Sequence, residues 1–214
     1  MSDAKLIDQS GRPLGPRAAQ TRGRLLDATE ELLTERGLRD LRVIDIARHI
    51  GSSAATFYQY FGGLEDAVVQ LAERAADEMP EIVAEIAGSW EGDAALPRAR
   101  RIVDAFIRHW DRHRAALRVR NLASEEGDAR FMAARRRAVG PVIEALAEQV
   151  RRAQANDAVH DGLHPYAAAA ACGAILERLA AYHGELEAFE ISREDLVESS
   201  ARILTRTLTG RSDS

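Results

Sequence analysis

The segment VIDIARHIGSSAATFYQYF, residues 43–61, carries the pattern that decides the fold. In its first half, apolar residues recur at spacings of three and four, which is typical of the buried face of a short helix. These residues are Val43, Ile46, Ala47 and Ile50. Gly51 then breaks the pattern, and Ser53 is of a type that favours the N-cap of a new helix. We expect Phe57 and Phe61 to share the buried face of that second helix.

A longer amphipathic helix is predicted in front of this segment. Thr21 is its predicted N-cap, and Gly37 provides a left-handed stop. Between them, residues at helical spacing form an apolar stripe: Leu25, Leu26, Thr29, Leu32 and Leu33. The three helices make a unit of about 45 residues, the size and order of a helix-turn-helix. The pattern alone leaves a second interpretation open, an ordinary three-helix part of a larger core.

The polar face of the third helix suits a DNA groove. At about 100° per residue, an inward phenylalanine at its centre leaves Ala55, Thr56 and Gln59 outward. Thr56 and Gln59 have hydrogen-bonding groups that can read base edges. The phenols of Tyr58 and Tyr60 lie on the flanks and can donate hydrogen bonds to phosphates.

Residues 21–67 resemble the DNA-binding domain of the TetR family of bacterial repressors. The family pattern runs roughly V-x-D-I-A, then an alanine-glycine turn, then S-x-G-T-L-Y-x-H-F. The matching residues are Val43, Asp45, Ile46, Ala47, Gly51, Ser53, Thr56, Phe57, Tyr58 and Phe61. The chain departs from the family at Leu64, where a lysine that contacts phosphate is common, and Glu65 and Asp66 follow.

We expect the chain to have three parts. The glycines and prolines of residues 1–20, which have no sustained apolar period, predict a flexible arm there. The resemblance implies the other two parts, a helix-turn-helix DNA-binding domain over 21–67 and a larger C-terminal helical bundle over 68–214 that binds a small molecule and dimerises. We expect DNA contacts from the third helix and from arginines around it. The expected residues are Arg22, Arg24, Arg42, Arg48, Ser53, Ala55, Thr56, Tyr58, Gln59 and Tyr60.

Composition and charge limit the other classes of protein. The chain has 214 residues, 46% of them hydrophobic, and the single cysteine Cys172 excludes a disulfide-stapled mini-protein. Its net charge is −5, yet residues 1–24 hold five basic and two acidic residues, which indicates an anionic partner near the N-terminus. No apolar run reaches the ~20 residues that span a bilayer, and no secretory signal is recognisable. We therefore expect a cytoplasmic protein without a membrane partner.

The rest of the chain continues the helical periodicity, so the predicted fold class is all-α. Pro80 predicts a kink or restart in the helix that begins at Leu64. Further helices are predicted over residues 97–114, 115–124, 128–154, 165–184 and 193–208. Gly140 and Pro141 predict a bend within 128–154.

The last two helices are the predicted homodimer interface. The stretch from Tyr166 to Leu179 is rich in alanine and includes Gly173, and small side chains let helices pack closely. The final helix has an apolar stripe made of Leu196, Ile203, Leu204 and Leu208. The alternative is that the alanine tract packs only within its own subunit.

Aromatic and isolated polar residues on these helices are candidates for a ligand pocket. The candidates are Phe106, Trp110, Phe131 and Met132 as walls, with Asn121, Tyr182 and His183 as polar anchors. They suggest a mostly apolar or aromatic effector, and ordinary core packing is the alternative for each. No metal or cofactor is expected: His109 and His113 have ligand spacing, but no third ligand is evident and Trp110 stands where a zinc hydrolase needs glutamate.

We therefore predict a ligand-responsive repressor and not an enzyme, because no set of acid, base and nucleophile groups emerges from the sequence. Each subunit of a homodimer would place its third helix in a major groove of a near-palindromic operator. Effector binding would release the DNA. The competing prediction is a dimeric small-molecule sensor that binds DNA weakly or not at all, because Leu64 replaces a cation and the chain is acidic.

Overall fold

The computed structural model describes residue 9 and residues 11–210, and across them the predicted all-α class is confirmed. The α-helices are α1 (Pro16–Arg36), α2 (Val43–His49), α3 (Ala54–Tyr60), α4 (Leu64–Ala76), α5 (Met79–Ala87), α6 (Ala95–Glu125), α7 (Ala129–Ala155), α8 (Pro165–Tyr182) and α9 (Arg193–Thr209). Short 3-10 segments occur at Gly92–Ala94 and His183–Phe189. No helix within the described residues combines the length and apolarity needed to cross a membrane.

Helix α1 begins earlier than the sequence predicts. Pro16 lies in its first turn, where the fixed φ of proline suits a helix and the missing N–H leaves no bond unmade. Thr21, the predicted N-cap, is inside the helix, and its Oγ1 donates a hydrogen bond to the Arg17 carbonyl at 3.0 Å. Residues 16–20 of the predicted arm are therefore helical, and residues 1–8 and 10 lie outside the described part of the chain.

The chain forms two compact units. Unit 1 comprises Met1–Arg74 and His113–Ala134, and unit 2 comprises Ala75–Arg112 and Arg135–Ser214. Helices α6 and α7 each contribute residues to both units. Unit 1 therefore includes His113–Ala134, a segment well beyond the predicted domain boundary at residue 67. Local periodicity does not reveal that this segment belongs with the first helices.

Unit 1 has one hydrophobic cluster that holds the helix-turn-helix. Leu25 of α1, Ile46 of α2 and Phe57 of α3 are fully buried in it. Ala116 and Phe131, from the parts of α6 and α7 that belong to unit 1, are buried in the same cluster. The short helices α2 and α3 therefore have their apolar faces covered from several directions, which short helices need because they are marginal on their own.

Helix α6 replaces two predicted helices. The predicted break between residues 114 and 115 is a local departure at His113, where φ is −114° and ψ is 17° within an otherwise continuous helix. The His113 Nδ1 atom lies 3.3 Å from a carboxylate oxygen of Glu30 on α1, within unit 1.

Unit 2 contains the restart that the sequence predicts at Pro80. Helix α5 begins at Met79 with Pro80 in its first turn, as predicted, and Pro141 lies inside α7. A capping box starts α9, where the Ser192 hydroxyl accepts a hydrogen bond from the Asp195 N–H at 3.0 Å.

Candidate functional site

The turn between α2 and α3 has the geometry that the sequence predicts. Gly51 adopts φ +69°, a left-handed value that favours glycine. The backbone N–H of Ser52 donates to the Ala47 carbonyl at 2.8 Å, which closes the turn. The Ser53 hydroxyl then accepts a hydrogen bond from the Thr56 N–H at 3.2 Å and so caps α3.

Two buried phenylalanines fix the orientation of α3. Phe57 and Phe61 are both fully buried, and their ring centroids lie 5.1 Å apart. Ala47 on α2 is also fully buried, and its small side chain allows α2 and α3 to approach closely. Because α3 has only seven residues, this packing determines which of its faces is exposed.

The opposite face of α3 is open to solvent. Ala55, Tyr58 and Gln59 are exposed, with 53% of Tyr58 accessible. Thr56 is half-buried, and its hydroxyl lies 3.0 Å from the Ser53 hydroxyl. Tyr60 is half-buried and packs against the hydrophobic cluster, so its ring is held by the protein. The exposed surface of α3 is therefore centred on Tyr58 and Gln59.

The four candidate arginines differ in how they are held. Arg22 donates a hydrogen bond to the Gln70 side chain at 2.8 Å, and its guanidinium carbon is 5.3 Å from the centroid of the Phe61 ring. Burial lowers the pKa of Arg22, and the positive charge of Arg74 adds to this effect. Arg24 donates to the Ile50 carbonyl at 3.1 Å.

Arg42 is the N-cap residue of α2 and Arg48 lies in its last turn, and both are exposed. Within residues 11–210, no side-chain hydrogen bond or ion pair of these two arginines is seen. Their charges are therefore available to an anionic partner beside α3.

The start of α4 lacks positive charge. Leu64 is half-buried and packs against the cluster of unit 1. The Asp66 carboxylate accepts a hydrogen bond from the Gly62 N–H at 2.9 Å, so it satisfies a backbone donor in front of the helix. Glu65 and Asp66 also lie in the first turn, where negative charge is favourable.

The predicted ligand residues do not come together in one unit. Phe106 and Trp110 are buried in unit 2. Phe131 is buried in the hydrophobic cluster of unit 1, which supports the core alternative for this residue. Met132 is 43% exposed, and the Asn121 side chain accepts hydrogen bonds from the neighbouring Arg120, with both Asn121 and Met132 in unit 1.

The other two ligand candidates lie at the end of α8 in unit 2. Tyr182 is exposed, and the guanidinium carbon of Arg178 is 3.8 Å from its ring centroid. His183 is half-buried, with Nδ1 3.0 Å from the Ala180 carbonyl oxygen and Nε2 3.3 Å from a carboxylate oxygen of Asp111. Both side chains are thus engaged with their own surroundings.

A cleft that the sequence analysis missed lies in unit 2, between α5 and α7. Its volume is about 470 Å³, and its walls are mostly small or apolar. The lining residues are Ala76, Asp77, Met79, Pro80, Val83, Ala84, Arg137 and Pro141. Arg137 and Asp77 form an ion pair at the cleft. Its lining contains no aromatic residue, so a pattern of aromatic residues does not predict it. The sequence features that lie at this cleft are the two prolines, Pro80 in the first turn of α5 and Pro141 inside α7.

The two predicted dimerisation helices each bury one face within their own unit. On α8, Cys172, Gly173 and Leu176 are buried, and a Cβ added to Gly173 would lie 2.7 Å from Ile143 Cδ1 of α7. The opposite face of α8 exposes alanines: Ala167, Ala170, Ala171 and Ala174.

On α9 the predicted apolar stripe divides. Leu196, Leu204 and Leu208 are buried in the subunit, whereas Ile203 is 49% exposed. At about 100° per residue, Ile203 lies at the edge of the arc that the three leucines occupy, so it can share their stripe and still be exposed. The exposed apolar surface of these helices consists of α8 alanines and Ile203.

Cys172 and His109 are two further residues with reactive side chains, and both are buried in unit 2. Burial raises the pKa of the Cys172 thiol to about 11, which disfavours the reactive thiolate. The His109 Nδ1 atom lies 3.6 Å from a carboxylate oxygen of Glu78 within unit 2.

Comparisons with known proteins find two family models that match different parts of the chain. A family model described as "Bacterial regulatory proteins, tetR family" matches residues 25–71, and one described as "Tetracyclin repressor-like, C-terminal domain" matches residues 80–214. No curated protein sequence shows a significant match.

Solved structures share the fold at low sequence identity. FadR from Bacillus subtilis, solved with stearoyl-CoA, has 16% identity and a TM-score of 0.64 over 89% of this chain and 99% of its own. SmeT, the repressor of the Stenotrophomonas maltophilia efflux pump SmeDEF, has 19% identity and a TM-score of 0.62 over 90% and 91%. A TetR/AcrR regulator from Thermobifida fusca has 23% identity and a TM-score of 0.62 over 87% and 97%.

Proposed function

The chain belongs to the TetR family of bacterial regulatory proteins, and we propose that it is a repressor released from its operator by a small, mostly apolar molecule. The observation that carries this proposal is the outward face of α3. Buried Phe57 and Phe61 fix the helix, and Tyr58 and Gln59 project from its exposed side. A repressor acts on the chromosome, so we propose the bacterial cytoplasm as its location.

In this proposal α3 lies in the major groove, where some of its residues contact bases and others contact the DNA backbone. The Gln59 amide has both a donor and an acceptor and reads base edges, as glutamine does with adenine. The Tyr58 hydroxyl donates to a phosphate, the Thr56 hydroxyl reads base edges beside Gln59, and the Ser53 hydroxyl at the N-terminus of α3 meets the DNA backbone. Ala55 is small enough to let the helix approach the bases. Exposed Arg42 and Arg48 supply positive charge beside it.

Arg22 and Arg24 have a different proposed role. Both are tied to other parts of unit 1, so we propose that they position α1 and raise the local potential. Tyr60 is partly covered by the cluster, and we propose that its hydroxyl contacts a phosphate.

The proposed operator is near-palindromic because the regulator is proposed to act as a two-fold homodimer. The exposed alanine face of α8 allows close approach of a second copy, and exposed Ile203 on α9 adds an apolar contact. Effector binding would favour a dimer arrangement whose two α3 helices no longer match successive grooves. Such a shift is limited by the difference in effector affinity between the two arrangements.

The cleft between α5 and α7 is the proposed effector site. Its volume of about 470 Å³ is in the range of small-molecule pockets, and its walls are mostly apolar. An apolar effector would bury its surface on Met79, Val83 and Pro141, and polar groups would meet the Arg137–Asp77 pair. The lining of this cleft does not include the ligand candidates from the sequence, which are Phe106, Trp110, Asn121, Phe131, Met132, Tyr182 and His183.

Binding to DNA tests the function directly. Fluorescence anisotropy of the pure protein with the DNA that flanks its own gene, and with unrelated DNA of equal length, would be measured at two salt concentrations. The proposal predicts preference for the flanking fragment and weaker binding at the higher salt, because bound phosphates release counterions. Equal affinity for both fragments would contradict it.

A dimeric sensor with little DNA affinity is the second candidate function. The absence of a positive charge at the start of α4, where Leu64, Glu65 and Asp66 stand, favours it. The same experiment separates the two functions, because a sensor would show an effector-dependent melting temperature without specific DNA binding.

The cleft is tested by replacing Val83 with aspartate, which would put a carboxylate on an apolar wall. With stearate or a fluorescent naphthalene sulfonate as probe, we expect the wild type to melt at a higher temperature with ligand and Val83→Asp to lose this shift. The control is Ala87→Asp, which places the same charge on an exposed position of α5 outside the cleft. Equal shifts in both variants would contradict the cleft as the effector site for these probes.

A further inference from the structure

We infer that the segment in front of α1 and the first turn of α1 together form a second DNA-contacting element, in which Gln9 anchors the segment to the end of α3 and Arg12 and Arg17 contact DNA phosphates. The inference rests on the proposed function, because it requires α3 to lie in a DNA groove. It adds residues that neither the helix-turn-helix pattern nor the outward face of α3 contains.

Gln9 is bound at the last residues of α3. Its backbone N–H donates to the Gln59 carbonyl at 3.1 Å. Its side-chain amide donates to the Tyr60 carbonyl at 3.3 Å and lies 3.5 Å from an Asp66 carboxylate oxygen. The last carbonyls of a helix have no intrahelical donor, so Gln9 satisfies groups that otherwise need water. These bonds fix the segment beside the residue whose side chain is proposed to read bases.

The chain length from this anchor keeps Arg12 near the same helix end, and Arg17 follows five residues later. Arg12 is three residues after Gln9, so their Cα atoms are separated by at most about 11 Å. Arg17 lies in the first turn of α1. Both side chains are exposed, and the intervening residues are mostly glycine and proline, which form no apolar face for burial.

Other residues near this end of α3 offer little positive charge to DNA phosphates. The start of α4 offers Leu64, Glu65 and Asp66, and none of them is positive. Arg22 is engaged with Gln70 and partly buried. The segment of residues 1–24, by contrast, holds five basic and two acidic residues.

The chemistry favours phosphates over bases as the target. The guanidinium group of arginine matches phosphate oxygens and makes contacts that are independent of sequence. Leu14, the one large apolar side chain of residues 11–17, is half-buried and so is not an exposed wedge for insertion between base pairs.

The test measures the affinity for the flanking DNA fragment as a function of salt. We expect Arg12→Ala and Arg17→Ala each to reduce the slope of log affinity against log salt by about 0.9. When the salt rises from 50 to 200 mM, the wild type should therefore lose about 3.5-fold more affinity than either variant. The preferred base sequence should stay the same in both variants.

The anchor is tested with Gln9→Glu, which keeps the shape but places a carboxylate opposite the Tyr60 carbonyl and Asp66. We expect weaker DNA binding, and we expect Arg12→Ala to have little further effect when it is combined with Gln9→Glu. Arg39→Ala is the matched control, because it removes one exposed arginine beyond the other end of α1, about 30 Å from Arg17. It should leave the slope unchanged.

The outcomes distinguish this inference from the proposed function. Specific DNA binding by the wild type, with equal salt slopes for Arg12→Ala, Arg17→Ala and Arg39→Ala, would overturn the inference and leave the function standing. A change in base preference at an unchanged slope would also overturn it, because the contact would then be to bases. A wild type without specific DNA binding would overturn both. Thermal melting of each variant confirms that the fold is intact.

Discussion

Replacing Phe57 with alanine should remove the support of α3 and abolish specific DNA binding. Phe57 is fully buried, and its ring centroid lies 5.1 Å from that of Phe61 and 5.9 Å from that of Tyr58. Helix α3 has seven residues, and helices shorter than ~12 residues are marginal in water. Helix α3 therefore depends on tertiary packing, to which the fully buried Phe57 ring contributes.

The magnitude follows from the complete burial of the side chain. Truncation of a buried phenylalanine to alanine costs about 3–5 kcal/mol of unfolding free energy. The Ser53 N-cap contributes about 1 kcal/mol, so it cannot offset the loss. A domain with a typical stability of about 5–15 kcal/mol loses a large part of it.

Urea unfolding followed by circular dichroism, together with anisotropy on the flanking DNA, measures both effects. Phe57→Leu is the conservative control and should cost less than about 1.5 kcal/mol. Tyr58→Phe alters an exposed position on the same helix and should change stability by less than about 0.5 kcal/mol. A loss below about 1 kcal/mol in Phe57→Ala, far under the cavity cost, would refute the reasoning.

Three further predictions concern unit 2. Gly210→Ala should lower the melting temperature, because Gly210 has φ +68° and an added Cβ would lie 1.7 Å from the Ala158 carbonyl oxygen; an unchanged midpoint by calorimetry would contradict this. The hydrogen bond from Arg100 lowers the pKa of the Glu198 carboxyl from 4.5 to about 2, so this pair stabilises the fold above pH 4.5 and the effect is lost as pH falls toward 2. Arg100→Gln should therefore be less stable than wild type in urea near neutral pH, and the two proteins should converge near pH 2; a constant difference would count against the pair. The Cys172 thiol, buried and with its pKa raised to about 11, should react with a maleimide only after denaturation, and rapid labelling of the native protein would show that it is accessible.

The helix-turn-helix was predictable from sequence because its determinants are local. Gly51 provides the left-handed turn, Ser53 provides a cap within three residues, and the spacing of Phe57 and Phe61 defines the buried face. Each signal acts within one or two helical turns. The exposure of Gln59 follows from the same periodicity.

The start of α1 was not predicted because two local signals compete. Thr21 has the residue type of an N-cap, but Pro16 and the alanines after it allow the helix to begin earlier. The Thr21 hydroxyl then bonds back to the Arg17 carbonyl, a common arrangement inside helices.

The ligand and dimer surfaces depend on contacts between distant parts of the chain. Phe131 is an aromatic residue on a helix, and only its burial in unit 1 shows that it supports the helix-turn-helix. The cleft in unit 2 combines residues of α5 with Arg137 and Pro141, which are far apart in sequence. Likewise, Ile203 and Leu204 are equally apolar neighbours, and only tertiary packing leaves the first exposed.

The most direct test of the account is the base preference of Gln59→Ala, determined by selection from a randomised pool of operator-length DNA and compared with the preferences of wild type and Tyr58→Phe. The account predicts that Gln59→Ala loses or changes its preference at one position in each half-site, whereas Tyr58→Phe binds all sequences somewhat more weakly with the wild-type preference. A Gln59→Ala protein that selects the wild-type sequence would show that the exposed side of α3 does not read the DNA.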